Sequence, residues 1–312
     1  MADGSRHSMR LVLESTYGVT PATPTLTPIR HTQTTLGLTK DSLQSEEIRA
    51  DRQIADFRHG ARQVGGDIQF ELSYDSFDSI LEALTMGTWT ADTPAVGTKQ
   101  LKAGVVRRSF TVERQFGDIL TADKPFYVFT GVEFNQLQLQ VNANAMITGT
   151  FSVIGKDLVT ATAEIAGATI NPVTTTSPLD SFTGALKEGN TVIAVITEIQ
   201  LNLENGLEAR FVVGSKTTIR PSVARSNVSG QVTAYFEDSK LVDKFINETE
   251  SSIEFDLPDA AGNNLKFKLP RIKYTGGSPD VGGEGPITLT MPFQALLDSV
   301  TGTNIIIEAT DA

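Results

Sequence analysis

The chain has no cysteine and only three histidines, His7, His31 and His59, among 312 residues. Disulfides and thiolate metal centres are therefore excluded, and a zinc site would need carboxylates gathered by the fold. Basic residues are outnumbered, 26 Lys and Arg against 37 Asp and Glu, for a net charge of −11. Sequence-specific nucleic-acid binding leaves a basic footprint, so that class loses weight. One tryptophan and five tyrosines are few for a carbohydrate-binding sandwich. No apolar run approaches the ~20 residues of a bilayer span. The opening "MADGSRHSMRLVLESTYG" lacks the apolar centre of a signal peptide. The expectation is a chain folded in a cytoplasm, away from membrane. Catalytic signatures are missing too: there is no G-x-S-x-G elbow and no P-loop or dinucleotide fingerprint. Carboxylate pairs such as Glu46-Glu47 and Asp256/Asp259 read as solvated loop charges. Neither an enzyme nor a cofactor is indicated.

What is present is period-two alternation, which predicts a mainly β chain. The clearest strands are 136–142 ("QLQLQVN"), 147–154, 198–204 ("EIQLNLE"), 252–257, 265–269 and 287–291, with 109–113 fitting as well. Only 76–84 and 239–247 look helical. Each opens on Asp-Ser, residue types that cap free N–H groups. The glycine-rich "GGSPDVGGEG" at 276–285 joins two strands and does not open a helix, so it reads as a hairpin tip and not a phosphate cradle.

These elements recur. "GDIQFELSYDSFDSILEAL" from Gly66 and "GQVTAYFEDSKLVDKFIN" from Gly230 both switch from strand to helix spacing. Val64, Gly66, Ile68 and Phe70 match Val228, Gly230, Val232 and Ala234, each 164 positions apart. Further on, Phe129-Thr130-Gly131 and Tyr274-Thr275-Gly276 each precede one more alternating strand. Upstream, each copy has a long loop, 37–66 and 205–230. Between the halves, 160–178 is rich in Thr and Ala and reads as a linker or extended arm. "TPATPTLTP" at 20–28 predicts a polyproline-like arm.

Two features point towards assembly. Residues 37–60 are too long for an ordinary connection, and they mix both charge signs with Leu43, Ile48, Ile54 and Phe57. A solvated tail would not need those apolar anchors. The polar faces of the strands carry amides, hydroxyls and acids: Asp67, Gln69 and Glu71; Gln136, Gln138 and Gln140; Glu198, Gln200 and Asn202. Arg107, Lys266 and Lys268 depart from that rule.

The segments "ESTYGVTPATPTLTPIRHT", "SEEIRADRQIADFRHG", "VVGSKTTIRPSVARSNVSG", "KFINETESS" and "LPRIKYTGG" closely resemble the tail tube (major tail) proteins of long, non-contractile-tailed bacteriophages. The likeness runs from Glu14 to about Thr303. It implies a tube domain of two packed β-sheets with one helix, six of which form a ring whose inner sheets join into a barrel. Rings stack into a hollow tube through which double-stranded DNA passes. The expected fold is thus two tandem tail-tube-type β-sandwich/barrel domains, each with one flanking α-helix. The first covers 1–159 with an extended arm at 1–30, a linker covers 160–180, and the second covers 181–312. Three chains would then make a pseudo-sixfold ring, whereas many relatives have one tube domain and form true hexamers. The resemblance gives Asp41, Glu46, Glu47, Arg49, Asp51, Arg52, Asp56 and Arg58 a role in contacts between subunits or rings. It makes the nine polar-face residues above candidates for the lumen. Implied partners are further copies of the chain, a tape-measure protein and a tail terminator, with assembly in the host cytoplasm and residence in the virion tail. The alternative is a single-ring distal tail or baseplate protein, or a capsid decoration protein.

Overall fold

The computed structural model describes residues 2–181, 185–189, 191–193 and 195–312. The first half contains β1 (His7–Leu13), β2 (Thr25–Pro28), β3 (Gln33–Thr34), β4 (Gly37–Gln44) and β5 (Phe57–Glu71). After helix α1 (Asp78–Thr85) come β6 (Thr98–Lys102), β7 (Phe110–Phe116), β8 (Phe126–Asn142), β9 (Thr148–Gly155) and β10 (Asp157–Ala161). Then follow β11 (Thr169–Ile170), β12 (Ala185–Glu188), β13 (Thr191–Val192), β14 (Ile196–Glu204), β15 (Glu208–Arg210), β16 (Ile219–Ser222) and β17 (Asn227–Tyr235). Helix α2 (Lys240–Ile246) leads to β18 (Ser251–Pro258), β19 (Asn264–Tyr274), β20 (Ser278–Asp280), β21 (Thr288–Ala295) and β22 (Ile306–Thr310). The chain is mainly β, and all seven strands predicted from alternation lie on observed ones.

The pairings run in the same order through both halves. In the first, β1 pairs β7, β7 pairs β8, β8 pairs β10 and β9, β9 pairs β5, and β5 pairs β3 and β4. In the second, β12 pairs β18, β18 pairs β19, β19 pairs β22 and β21, β21 pairs β17, and β17 pairs β14. Among the described residues two strand pairings join the halves, β8 with β14 and β6 of the first half with β22 of the second, and an isolated bridge links Arg62 to Thr217. One uninterrupted layer therefore runs β4–β5–β9–β8–β14–β17–β21–β20.

Alternation decides which face is dry. Ile68, Phe70, Leu137, Leu139, Phe151, Val153, Leu201, Leu203, Val232 and Phe293 all point into the core. Phe70 stacks on Phe151 at 4.0 Å, with Phe77 and Phe134 against the pair. In the second half Phe255 stacks on Phe267 at 5.0 Å. Each such side chain withdrawn from water stabilises by roughly 1.5–3 kcal/mol before entropy is counted.

Four expectations need correction. The extended arm at 1–30 is docked, and its polyproline-like segment 20–28 runs into a paired strand. Met9 and Leu11 are buried and β1 is in full register with β7, because their alternation fills an apolar layer. β2 pairs β1 on one side and β11 on the other. The linker is likewise docked: Leu179 is buried, Arg30 Nη1 donates to Thr176 O at 2.6 Å, and the Thr174 and Ser76 hydroxyls meet at 2.6 Å. The long "loops" contain hairpins. Polar residues conceal the pairing of β4 with β5 across 37–66, and that of β15 with β16 across 205–230. Finally, the Asp-Ser pairs do not both cap. Phe77 stands at the α1 N-cap without a side-chain bond, since Ser76 turns to Ser73 and Thr174. At α2 the N-cap Ser239 makes no capping bond and its hydroxyl donates to Asp243 Oδ2 at 2.9 Å, while Asp238 before it accepts the Lys240 N–H at 3.0 Å.

The aromatic-Thr-Gly steps also differ in place. Tyr274 opposes Phe293 as Phe134 opposes Val153, so Phe134 and not Phe129 stands where Tyr274 does. Gly66 and Gly230, by contrast, are equivalent in space as in sequence. A Cβ on Gly66 would fall 2.7 Å from Thr35 O, and one on Gly230 would fall 2.1 Å from Gln200 O. Both strands need a residue without a side chain where the neighbouring backbone presses in.

Candidate functional site: amide- and acid-bearing rows on one sheet face and an exposed hairpin

The strands that bury Phe70, Leu137 and Leu201 on one side must present their other residues on the opposite side. All nine polar-face candidates lie there, brought onto one surface by register. Gln69 opposes Thr150, which opposes Gln138, then Asn202, Ser229 and Gln294. The next row runs Glu71, Thr148, Gln140, Gln200 and Gln231. On the other flank stand Asp67, Ser152, Gln136, Glu204 and Asn227. Glu198 opposes Asn142 and Thr233.

The side chains form a ladder of short polar contacts. Gln136 Nε2 donates to Asn202 Oδ1 at 2.7 Å, Gln200 Nε2 to Glu198 Oε1 at 2.6 Å, and Ser152 Oγ to Asp67 Oδ1 at 2.5 Å. A shallow depression of about 450 Å³ opens among Gln138, Gln140, Gln200, Asn202 and Gln231. Across these rows the only formal charges are Asp67, Glu71, Glu198 and Glu204, with no lysine or arginine. The cations that seemed to break the rule lie elsewhere and are paired. Lys266 meets Asp256 at 2.8 Å, Lys268 meets Glu308 at 2.7 Å, and Arg107 is bound by the buried Glu133. This face can line a water-filled passage, and it offers an anionic polymer no cation to grip.

The second candidate is the β4–β5 hairpin. Asp41, Glu46, Glu47, Arg49, Asp51, Arg52, Asp56 and Arg58 are all exposed on it. Their pairs are local. Arg49 grips Asp51 with two bonds at 3.0 and 2.8 Å, which holds the Asp51 carboxyl below the ordinary carboxylate value. Arg58 meets Asp56 at 2.9 Å. Ile48 is fully exposed, Leu43 and Ile54 are mostly so, and Phe57 is about half exposed. Uncovered apolar residues grouped among charges are of the kind found where proteins meet partners. The β15–β16 hairpin behaves differently. Arg62 bridges to Thr217, and Arg220 Nε reaches the buried Glu133 at 2.6 Å, so its base is seated on the first half.

Sequence reading missed several constellations. His7 and His31, far apart in sequence, meet at 2.8 Å between Nδ1 and Nε2, and Arg114 Nε donates to His7 Nε2 at 3.0 Å. Burial, then the Arg114 and His31 charges, push the His7 pKa down from 6.5 to about 4. Glu14 is buried and accepts four hydrogen bonds, from Gly18 N, Ser109 Oγ, Thr111 Oγ1 and Gly131 N, at 2.7 to 2.9 Å. Apart from the Gly18 bond to Glu14, these are long-range pairings that no local spacing announces. Among the described residues no group of three or more His, Cys, Asp or Glu is placed to hold a metal ion, and no helix is long and apolar enough to cross a membrane.

Comparison with known families gives one match over most of the chain: a family model described as "Phage tail tube protein" covers residues 4–295. A search of curated proteins finds no match.

Proposed function

The chain belongs to the phage tail tube protein family, a structural component of the virion tail, and from that premise we propose that it forms the hollow tube through which DNA leaves the particle. Each half, 1–159 and 181–312 with 160–180 between them, acts as one tube domain, and three chains close a ring of pseudo-sixfold symmetry. Rings stack through the β4–β5 hairpin, with Asp41, Glu46, Glu47, Arg49, Asp51, Arg52, Asp56 and Arg58 meeting a neighbouring subunit. Asp67, Gln69, Glu71, Gln136, Gln138, Gln140, Glu198, Gln200 and Asn202 line the lumen. Tape-measure and terminator proteins set the tube's length and end, and assembly takes place in the host cytoplasm.

The observation that carries this reading is the set of amide- and acid-bearing rows that crosses β5, β9, β8, β14 and β17 without a lysine or arginine. A lumen rich in cations would hold DNA by counterion release; amides and acids let it slide. The layer β4–β5–β9–β8–β14–β17–β21–β20 supplies eight strands. Three copies make about 24, beyond the 16–18 that already leave an aqueous channel. At about 4.8 Å per strand the backbone circle is roughly 37 Å across before tilt widens it. Closure also removes the exposed sheet edges.

Electron microscopy of the purified protein or the particle, with rotational symmetry determined, tests the proposal. Hollow stacked rings with threefold symmetry and pseudo-sixfold density are expected. True sixfold rings would keep the tube and sink the two-domain trimer; failure to polymerise under any condition would sink the tube.

A further inference from the structure

The seam between β8 and β14 inside one chain supplies a template for the seam between two chains, an inference that rests on the ring reading above. In the internal seam Glu198 opposes Asn142, Gln200 opposes Gln140, Asn202 opposes Gln138 and Glu204 opposes Gln136. Each partner has a counterpart elsewhere in the chain. Thr34 opposes Ile68 as Ile199 opposes Val232, and Gly37 opposes Gly65 as Asn202 opposes Ser229. Residues 33–39 thus stand where 198–204 stand, with Leu36 and Leu38 at the places of Leu201 and Leu203. On the other side, Ser278 opposes Thr290 as Gln138 opposes Thr150. Residues 276–282 thus stand where 136–142 stand.

The two internal strands use each other, whereas no further strand pairs with their counterparts; within 33–39 the Leu36 N–H is held by Thr34 Oγ1 and the Leu36 carbonyl by Arg114, bonds that a partner strand would replace. Among the described residues β20 pairs only β21, and β3 and β4 pair only β5. At its two ends the continuous layer therefore carries the two halves of a seam that the chain has already made once. We propose that residues 33–39 of one copy pair antiparallel with residues 276–282 of the next. Gly37 then faces Ser278, Thr35 faces Asp280 and Gln33 faces Gly282, the register of Asn202 with Gln138, Gln200 with Gln140 and Glu198 with Asn142. The partner is a second copy of this chain because the complement of each edge is the other edge. Pro279 has no N–H to donate and Gly276, Gly277 and Gly282 are weak strand formers. The seam between chains is accordingly weaker than the internal one, as suits an edge that must stay unpaired until a ring closes.

The absence of cysteine gives a clean background for a crosslinking test. Directly opposed Cβ atoms on paired strands lie about 4.5–5.5 Å apart, within small adjustment of disulfide geometry. Two variants place cysteines in register: Gly37→Cys with Ser278→Cys, and Gln33→Cys with Gly282→Cys. Gln33→Cys with Ser278→Cys is slipped by four residues, or roughly 13 Å. Oxidised polymers of either in-register variant should run on a non-reducing gel as dimers and closed trimers that a reductant dissolves, with no larger covalent species. The slipped variant should stay monomeric. The second in-register pair covers the case in which the first variant misfolds. Normal tubes without the in-register bond, or a bond in the slipped variant alone, would overturn the seam while the tube stands. A parent chain that forms no polymer would overturn both.

Discussion

The two helices follow corresponding strands, yet they are packed very differently. α1 buries Ile80, Leu81, Ala83 and Leu84 against the Phe70, Phe77 and Phe151 cluster. α2 has no buried residue, and its Leu241, Val242 and Phe245 are only partly covered. The hairpins differ in the opposite sense. The second is anchored on the first half by Arg220 and Thr217, while the first projects with its apolar residues uncovered. What the halves share is strand register and the two glycines pressed against neighbouring backbone. Cross-strand pairing thus holds the common architecture, and helix packing and hairpin docking are free to diverge.

The sharpest way to break the comparison is to remove the unanchored hairpin. Deleting residues 41–58 should abolish tubes in electron micrographs while circular dichroism and the melting temperature stay near those of the parent. Normal tubes from that variant would refute the hairpin's role. Next come the shared glycines. Gly66→Ala and Gly230→Ala should each cost about 2 kcal/mol or more in urea unfolding, because backbone and not a flexible side chain blocks the new methyl. A neutral result at either would deny their equivalence. Leu81→Ala should cost about 2–5 kcal/mol, and Leu241→Ala about 1 kcal/mol or less, since it gives up only partial burial. Equal costs would contradict the contrast between the helices.

Smaller effects test the lumen and the histidine pair. Gln136→Lys, Gln138→Lys and Gln140→Lys together should permit assembly but slow DNA exit, read by ejection kinetics in virions carrying the variant; unchanged kinetics would move that face away from the lumen. His7 is held neutral in the fold with its pKa near 4, against 6.5 when unperturbed. The unfolded chain therefore takes up this proton first as pH falls. The stability His7 contributes is complete above 6.5 and declines from there towards 4. His7→Gln should flatten that part of the stability curve relative to the parent, and a parallel curve would deny the coupling.

Much of this was legible in the residues. Alternation at 136–142 and 198–204 identified strands, wet faces and buried leucines, because side chains on a strand must alternate whatever lies beside it. The 164-residue repeat of Gly66 at Gly230 survived into space because only glycine fits there. The β4–β5 hairpin was legible as an unusual segment but not as paired strands. Its polar residues carry no hydrophobic period, and the backbone bonds that define it are indifferent to side chain. The docked N-terminal strand, the neutral His7 beside Arg114 and the carboxylate of Glu14 were invisible for another reason: apart from Gly18 beside Glu14, their partners lie 24 to 117 positions away.

By itself, then, the sequence determined the class of the protein. It set a β chain without cysteine, an acidic balance, and strands with one apolar and one amide-rich face, since these are properties of residues and of local period. Only the tertiary structure decided that nine polar side chains from three strands share one surface, and that β8 meets β14 to fuse the two halves into one layer. Register between distant strands is set by the joint fit of many weak contacts and no single residue encodes it.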